Sequence, residues 1–263
     1  MNAVRTNTRA SLAVIAAGVF GAIVLAAPLD AKAQDTLKVG MDANYAPFSM
    51  IDTSGNLTGF DHDISQALCD AMKVTCDIQA VPYQGTFPAL EAGKIDVVIN
   101  SYEMTPERAA KYDLVGPYIL GGARYMTLAD SPIDGSEESL RGKSLGVESS
   151  SSTGVYAEKE LASKMSVVQY DQINNAVLDL RNGRVDLVLG GQTVMETGFM
   201  KAEPGVFKFV GEPIYLGKGG GFILTKNNQT WTARLTDALA SIIKSGRYAE
   251  ISNQYFGRNV LER

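Results

Sequence analysis

Arg108 closes a run of residues whose order suits the binding of a carboxylate: Lys94-Ile-Asp-Val-Val-Ile-Asn-Ser-Tyr-Glu-Met-Thr-Pro-Glu-Arg108. The apolar stretch Ile95–Ile99 reads as a buried parallel strand. Polar groups come directly after it, at Asn100, Ser101, Glu103 and Thr105. Pro106 and Glu107 fit the first turn of a helix, with Thr105 as its N-cap and Arg108 inside that turn. In open α/β sheets, ligands sit beyond the carboxyl ends of the strands. A helix start offers free N–H groups to an anion, and an arginine adds a planar fork of donors. Taken alone, the segment also fits a solvated loop carrying a surface arginine.

The elements around it alternate. Strands are expected at Leu37–Met41, Asp77–Val81 and Ile95–Ile99, and helices at Asp61–Met72 and Phe87–Ala92, the second ended by Gly93. The pattern then restarts with a strand at Ser144–Val147 and a helix entered through Ser149–Thr153 and running to Leu161. A strand at Val167–Tyr170, a helix at Ile173–Arg181 and a buried strand at Val185–Leu189 follow. The sub-pattern of helix, Gly, basic residue, Ile/Val, Asp and apolar strand occurs at Leu90–Ile99 and again at Leu180–Leu189, which implies two similar lobes. Such alternation gives parallel sheets with covering helices. Glycines beside short extended runs at Leu120–Met126 and Leu216–Leu224 suit hinges between the lobes. In the helical C-terminal region Trp231–Phe256, the residues Leu235, Leu239, Ile242 and Ile243 form an expected apolar face.

Composition narrows the class. Arg5 and Arg9 precede an apolar run from Leu12 to Ala27, and Ala31-Lys32-Ala33 fits a cleavage site, so residues 1–33 read as a secretory signal peptide; an uncleaved anchor is the alternative. Removing them takes away three cations (Arg5, Arg9, Lys32) and one anion (Asp30), moving the net charge from −5 to −7. An acidic, evenly charged surface argues against nucleic acid as a partner. Cys69 and Cys76 do not match a zinc pattern; a secreted setting permits a disulfide, two free buried thiols being the alternative. Arg141-Gly-Lys-Ser144 lacks the upstream glycine of a phosphate loop, and the lone histidine, His62, argues against a Ser-His-Asp triad.

Six stretches together carry a family resemblance: Lys38–Phe48, Gly59–Ile64, Gly93–Asp96, Met104–Arg108, Leu140–Val147 and Gly183–Leu187. The chain resembles the extracellular solute-binding proteins, family 3, of polar amino-acid ABC transporters, the group of the lysine/arginine/ornithine-, histidine- and glutamine-binding proteins. The resemblance implies an α/β, two-lobed periplasmic-binding-protein fold of type II, each lobe a sheet flanked by helices and joined by two hinge strands. It places lobe 1 at 34–121 with 217–263 and lobe 2 at 122–216. It implies a monomer in the periplasm, without enzyme activity, cofactor or metal, that closes on an amino acid and delivers it to an inner-membrane permease and its ATPase. By the same resemblance, Arg108 clamps the ligand α-carboxylate, and Ser149, Ser151 and Ser152 mark the second-lobe helix start that donates to it. Tyr45 and Tyr83 sandwich the ligand side chain, Asp42 meets a distal cation, and Asn100 and Ser101 accept from the ligand amine. Cys69 and Cys76 fall on the family's disulfide.

Two departures stand out. Gly191, before Gln192, occupies the place of the family's usual aspartate, which pairs with the ligand ammonium, and Glu103 replaces a serine or threonine. A buried ammonium needs an anionic or multiply accepting partner, Gln192 or a water being the alternative to Glu103. Glu103 is therefore expected to serve the amine, while Gly191 opens room for an N-substituted, opine-like amino acid. An ordinary basic or polar amino acid is the alternative ligand. A dehydratase-like enzyme on the same fold and a sensory module are the competing functions.

Overall fold

The computed structural model describes residues 35–262, so the expected signal peptide lies outside the described residues. The chain opens with β1 (Thr36–Met41) and a small antiparallel sheet of β2 (Asn44–Tyr45), β3 (Ser49–Ile51) and β4 (Leu57–Thr58). Helix α1 (Phe60–Met72), β5 (Thr75–Ala80), α2 (Thr86–Glu91), β6 (Val97–Glu103), α3 (Pro106–Lys111) and β7 (Tyr112–Ile119) complete most of lobe 1. The chain then crosses into lobe 2 for β8 (Ala123–Leu128), α4 (Glu137–Leu140), β9 (Ser144–Glu148), α5 (Ser152–Tyr156), β10 (Ser166–Tyr170), α6 (Ile173–Arg181), β11 (Leu187–Gly191), α7 (Gln192–Met195) and β12 (Phe207–Ile214). Both α5 and α7 run on into a π-helical turn, Ala157–Leu161 and Glu196–Met200. The chain returns to lobe 1 with β13 (Gly220–Thr225), α8 (Thr232–Lys244) and α9 (Arg247–Phe256).

The two five-stranded sheets share one plan, with orders β5-β1-β6-β13-β7 and β10-β9-β11-β8-β12. The first three strands of each are parallel, as alternation predicts. The sheets are nonetheless mixed: β13 runs antiparallel to β6 and β7, and β8 antiparallel to β11 and β12. The reason is the crossing itself, because β8 and β13 are the strands that carry the chain from one lobe into the other.

The crossings also move strand ends. Gly220 and Gly221 pair with Glu103 and Tyr102, so β6 starts at Val97 and runs to Glu103 rather than stopping at Ile99. Asn100, Ser101 and Glu103 thus lie on the strand tip, held by a ladder, and not in a loop after it. In lobe 2, Gly190 and Gly191 pair with Arg124 and Ala123, which extends β11 past Leu189 in the same way. The return crossing needs glycine. A Cβ on Gly217 would stand 2.4 Å from the Met104 carbonyl oxygen, and Gly219 has φ +104° beside the Ile119 carbonyl.

Burial anchors the plan. Phe60, Ile64 and Leu68 of α1 pack with Leu37, Val39 and Met41 of β1 and with Leu235, Leu239, Tyr248, Ile251 and Phe256 of the C-terminal helices. On α8 the apolar face is Leu235, Ala238, Leu239 and Ile242. Ile243 is 43% exposed, since one step of about 100° past Ile242 turns it outward. Cys69 and Cys76 are disulfide-bonded, joining α1 to β5. The lobes touch across the cleft: Asn174 Nδ2 donates to the Asn44 carbonyl at 3.2 Å and Gln84 Nε2 to Asp171 at 3.1 Å, while Lys159 stands 3.9 Å from Glu107.

Candidate functional site

A cavity of about 840 Å3, part of it open to solvent, lies between the lobes at the carboxyl ends of β6, β9 and β11. Ten expected residues line it: Tyr45, Tyr83, Asn100, Ser101, Glu103, Arg108, Ser151, Ser152, Gly191 and Gln192. Two do not. Asp42 is buried behind Asn100, whose Oδ1 accepts from the Asp42 N–H at 2.8 Å, and Ser149 is spent donating its N–H to the Tyr170 carbonyl.

On the lobe 1 wall, Thr105 caps α3 by accepting from the Arg108 N–H at 3.2 Å, which fixes where Arg108 leaves the helix. Its guanidinium donates to the Glu103 carbonyl at 2.9 Å and sits over the rings of Tyr102 (4.8 Å) and Phe87 (5.5 Å). Stacking restrains the fork in a plane while leaving other N–H donors for a ligand. The Glu103 carboxylate accepts from the Gly219 N–H at 2.8 Å, tying the cleft to the return crossing. Burial raises its pKa, with that hydrogen bond and Arg108 opposing the rise.

Ser101 sits at φ +51°, a backbone conformation costly for a residue with a side chain. Its N–H donates to the Tyr118 hydroxyl at 2.7 Å, and that hydroxyl donates to Asp61 at 2.7 Å. The Ser101 hydroxyl also reaches Asp61, at 3.3 Å from each oxygen. Asp61 is fully buried; burial pushes it up to about 7, against the pull of Tyr118 and Ser101. The Gly59–Ile64 motif therefore serves the cleft indirectly by holding Ser101. His62 in that motif pairs with Asp63 and does not line the cavity.

On the lobe 2 wall, Ser151 is the N-cap of α5. Its hydroxyl accepts from the Gly154 N–H at 2.9 Å and donates to the Glu148 carbonyl at 2.7 Å. With that oxygen used in the cap, what α5 offers a ligand is the first-turn N–H groups of Ser152 and Thr153, both lining the cavity. A Cβ on Gly191 would meet only Val194, at 3.7 Å, so the space beside it is open.

Residues outside the expected set also line the cavity: Tyr102, Thr153 and, above all, Glu148. The Leu140–Val147 motif stops one residue short of Glu148. The signal was present all the same: a charged residue directly after a strand-forming apolar run, the pattern that singled out Asn100–Glu103. Among the described residues, no group of three or more His, Cys, Asp or Glu could hold a metal ion.

Two lobes of one plan, crossed twice by the chain and closed over a cavity with an arginine on one wall and a helix start on the other, define a two-lobed solute-binding protein. The chain belongs to the bacterial extracellular solute-binding proteins, family 3, whose pattern matches residues 37–258. It is 32% identical over 249 residues to the L-arginine-binding protein of Pseudomonas aeruginosa, covering 92% of this chain and 96% of that one. It is 33% identical over 232 residues to the lysine/arginine/ornithine-binding periplasmic protein of Escherichia coli, covering 86% and 89%. Among solved structures, an ancestral arginine-binding protein bound to arginine is similar with a TM-score of 0.78 and 30% identity, covering 86% of this chain and all of that one.

Proposed function

We propose that the protein is the periplasmic, monomeric binding component of an ABC importer, capturing a free polar amino acid with a basic side chain. Residues 34–121 with 217–263 form one closing body and 122–216 the other. The observation that carries this reading is Arg108, stacked and oriented on lobe 1, in one cavity with the Ser152 and Thr153 N–H groups of lobe 2. An α-carboxylate held by both joins the lobes, which turns binding into closure. Tyr45 and Tyr83 flank the side chain, and Asn100, Ser101 and Glu103 receive the amine. The arginine-binding relatives support a basic ligand. The protein binds and releases its solute unchanged.

A second reading is favoured by the open space at Gly191 together with Glu103: the ligand nitrogen carries a substituent, as in an opine. Glu103 then meets a secondary ammonium from lobe 1 while the substituent fills the space on lobe 2. A thermal-shift screen of amino acids and opines tests both readings, because a ligand bound only by the folded state stabilises by RT ln(1 + [L]/Kd). Stabilisation by arginine or lysine is expected on the first reading and by octopine-type compounds on the second. A screen in which neither class shifts the melting temperature contradicts both.

A further inference from the structure

The cavity holds one acid that neither the carboxylate clamp nor the amine pocket uses. Glu148 ends β9 on lobe 2 and is 5% exposed. One of its oxygens accepts from the Ile173 N–H, at 3.1 Å, where α6 begins. Its other oxygen has no hydrogen-bond partner among the described residues, and no lysine or arginine pairs with it there. The groups of lobe 1 that face it are Asp42 at the end of β1, Tyr45 after β1, Tyr83 before α2 and Tyr102 on β6. The free Glu148 oxygen therefore faces the cavity with no cation beside it among the described residues.

We propose that Glu148 is the specificity-determining acid of the cleft, seating the distal cation of the ligand from lobe 2 while Asp42 supports it from lobe 1. The inference rests on the amino-acid reading above and deepens it. A guanidinium or ammonium placed there meets the Glu148 carboxylate of lobe 2, with the Asp42 charge of lobe 1 behind the cavity wall, so the ligand's far end favours closure as its α-carboxylate does at the near end. Without a cation, burial, helped by the Asp42 charge and opposed by the Ile173 N–H, pushes Glu148 up to about 8, so near neutrality the acid holds its proton. A cation takes that proton's place: Glu148 ionises, and one proton passes to solvent. Affinity for a basic amino acid therefore rises with pH through about 6 to 8, approaching tenfold per unit.

Calorimetry of L-arginine and its neutral isostere L-citrulline, between pH 6 and 8 in buffers of different ionisation heat, tests this. Arginine is expected to release close to one proton per site at the lower pH, to bind about tenfold or more tighter than citrulline at pH 8, and to lose that advantage toward pH 6. In Glu148→Gln the proton release and the pH slope disappear, and arginine loses more affinity than citrulline; circular dichroism checks that the variant is folded. Arginine binding without proton release, or citrulline binding as tightly as arginine at pH 8, overturns the assignment while leaving an amino-acid cleft intact. Binding by neither compound, nor by any other free amino acid, overturns the amino-acid reading and this inference together.

Discussion

Strands β6 and β11 hold equivalent places in the two lobes, yet they end in opposite ways at the cleft. Each is a sheet strand whose tip is lengthened by an antiparallel crossing strand. The β6 tip carries side chains: Asn100, Ser101, Tyr102 and Glu103. The β11 tip is bare, Gly190 and Gly191. One duplicated unit has thus become a decorated wall and an open one. Lobe 1 presents charge on side chains pinned by stacking, an N-cap and the Asp61–Tyr118–Ser101 network. Lobe 2 has the first-turn N–H groups of α5 and one buried acid, Glu148, at the end of the neighbouring strand β9. The difference teaches that shared topology sets where ligand groups can sit, while the residue at each strand tip sets which chemistry is offered.

The largest expected effect removes the strongest group of the decorated wall. Arg108→Ala deletes charge-assisted hydrogen bonds worth about 1.5–3 kcal/mol each, so the loss of two weakens amino-acid binding by roughly 10²–10⁴-fold in calorimetry. Retained affinity would leave lobe 2 as the dominant carboxylate binder and reverse the comparison.

The next effect compares the buried acid of each lobe. Asp61 and Glu148 have folded pKa values raised to about 7 and about 8, above their unfolded values. Acids of this kind fit their sites when protonated, so their stabilising fit is present at low pH and is lost as pH climbs through about 4 to 8. The unliganded protein should melt at a higher temperature at pH 5 than at pH 8, by an amount reflecting a few kcal/mol. Asp61→Asn and Glu148→Gln should each shrink the difference. Only the second should also change how binding depends on pH, because Asp61 acts through Ser101 and does not line the cavity. A melting temperature that rises from pH 5 to pH 8 contradicts this account.

The smallest effect decorates the bare tip. Gly191 has φ −59° and room for a Cβ, so Gly191→Asp is compatible with the backbone. It should lower affinity for N-substituted amino acids by about tenfold, the equivalent of ~1.4 kcal/mol, without weakening a primary amino acid. Equal losses for both would remove the space at Gly191 from the argument.

The alternation of elements, and Asn100, Ser101, Glu103 and Arg108 among the cavity-lining residues, were legible because strand-end polar groups and helix starts leave local signatures; Tyr45, Tyr83, Ser151, Ser152, Gly191 and Gln192 were legible only through the family resemblance. Strand tips were misjudged where pairing is long-range: β6 reaches Glu103 only because Gly220 and Gly221, more than a hundred residues away, lie beside it. Ile243 looked apolar and therefore inward, but only packing fixes which flank of α8 faces solvent. Glu148 stands beside a serine-rich stretch, and only its burial in the fold separates it from a solvated loop carboxylate. Asp42 and Ser149 are in the right segments but present backbone or buried groups rather than cavity-facing side chains.

The central claim is that closure depends on an α-carboxylate shared by Arg108 and the start of α5. Thermal-shift titration with L-arginine and with agmatine, the same molecule lacking the carboxylate, tests it most directly. The account predicts a concentration-dependent rise in melting temperature with arginine, little with agmatine, and a weak response to both in Arg108→Gln. Stabilisation by agmatine equal to that by arginine would contradict it.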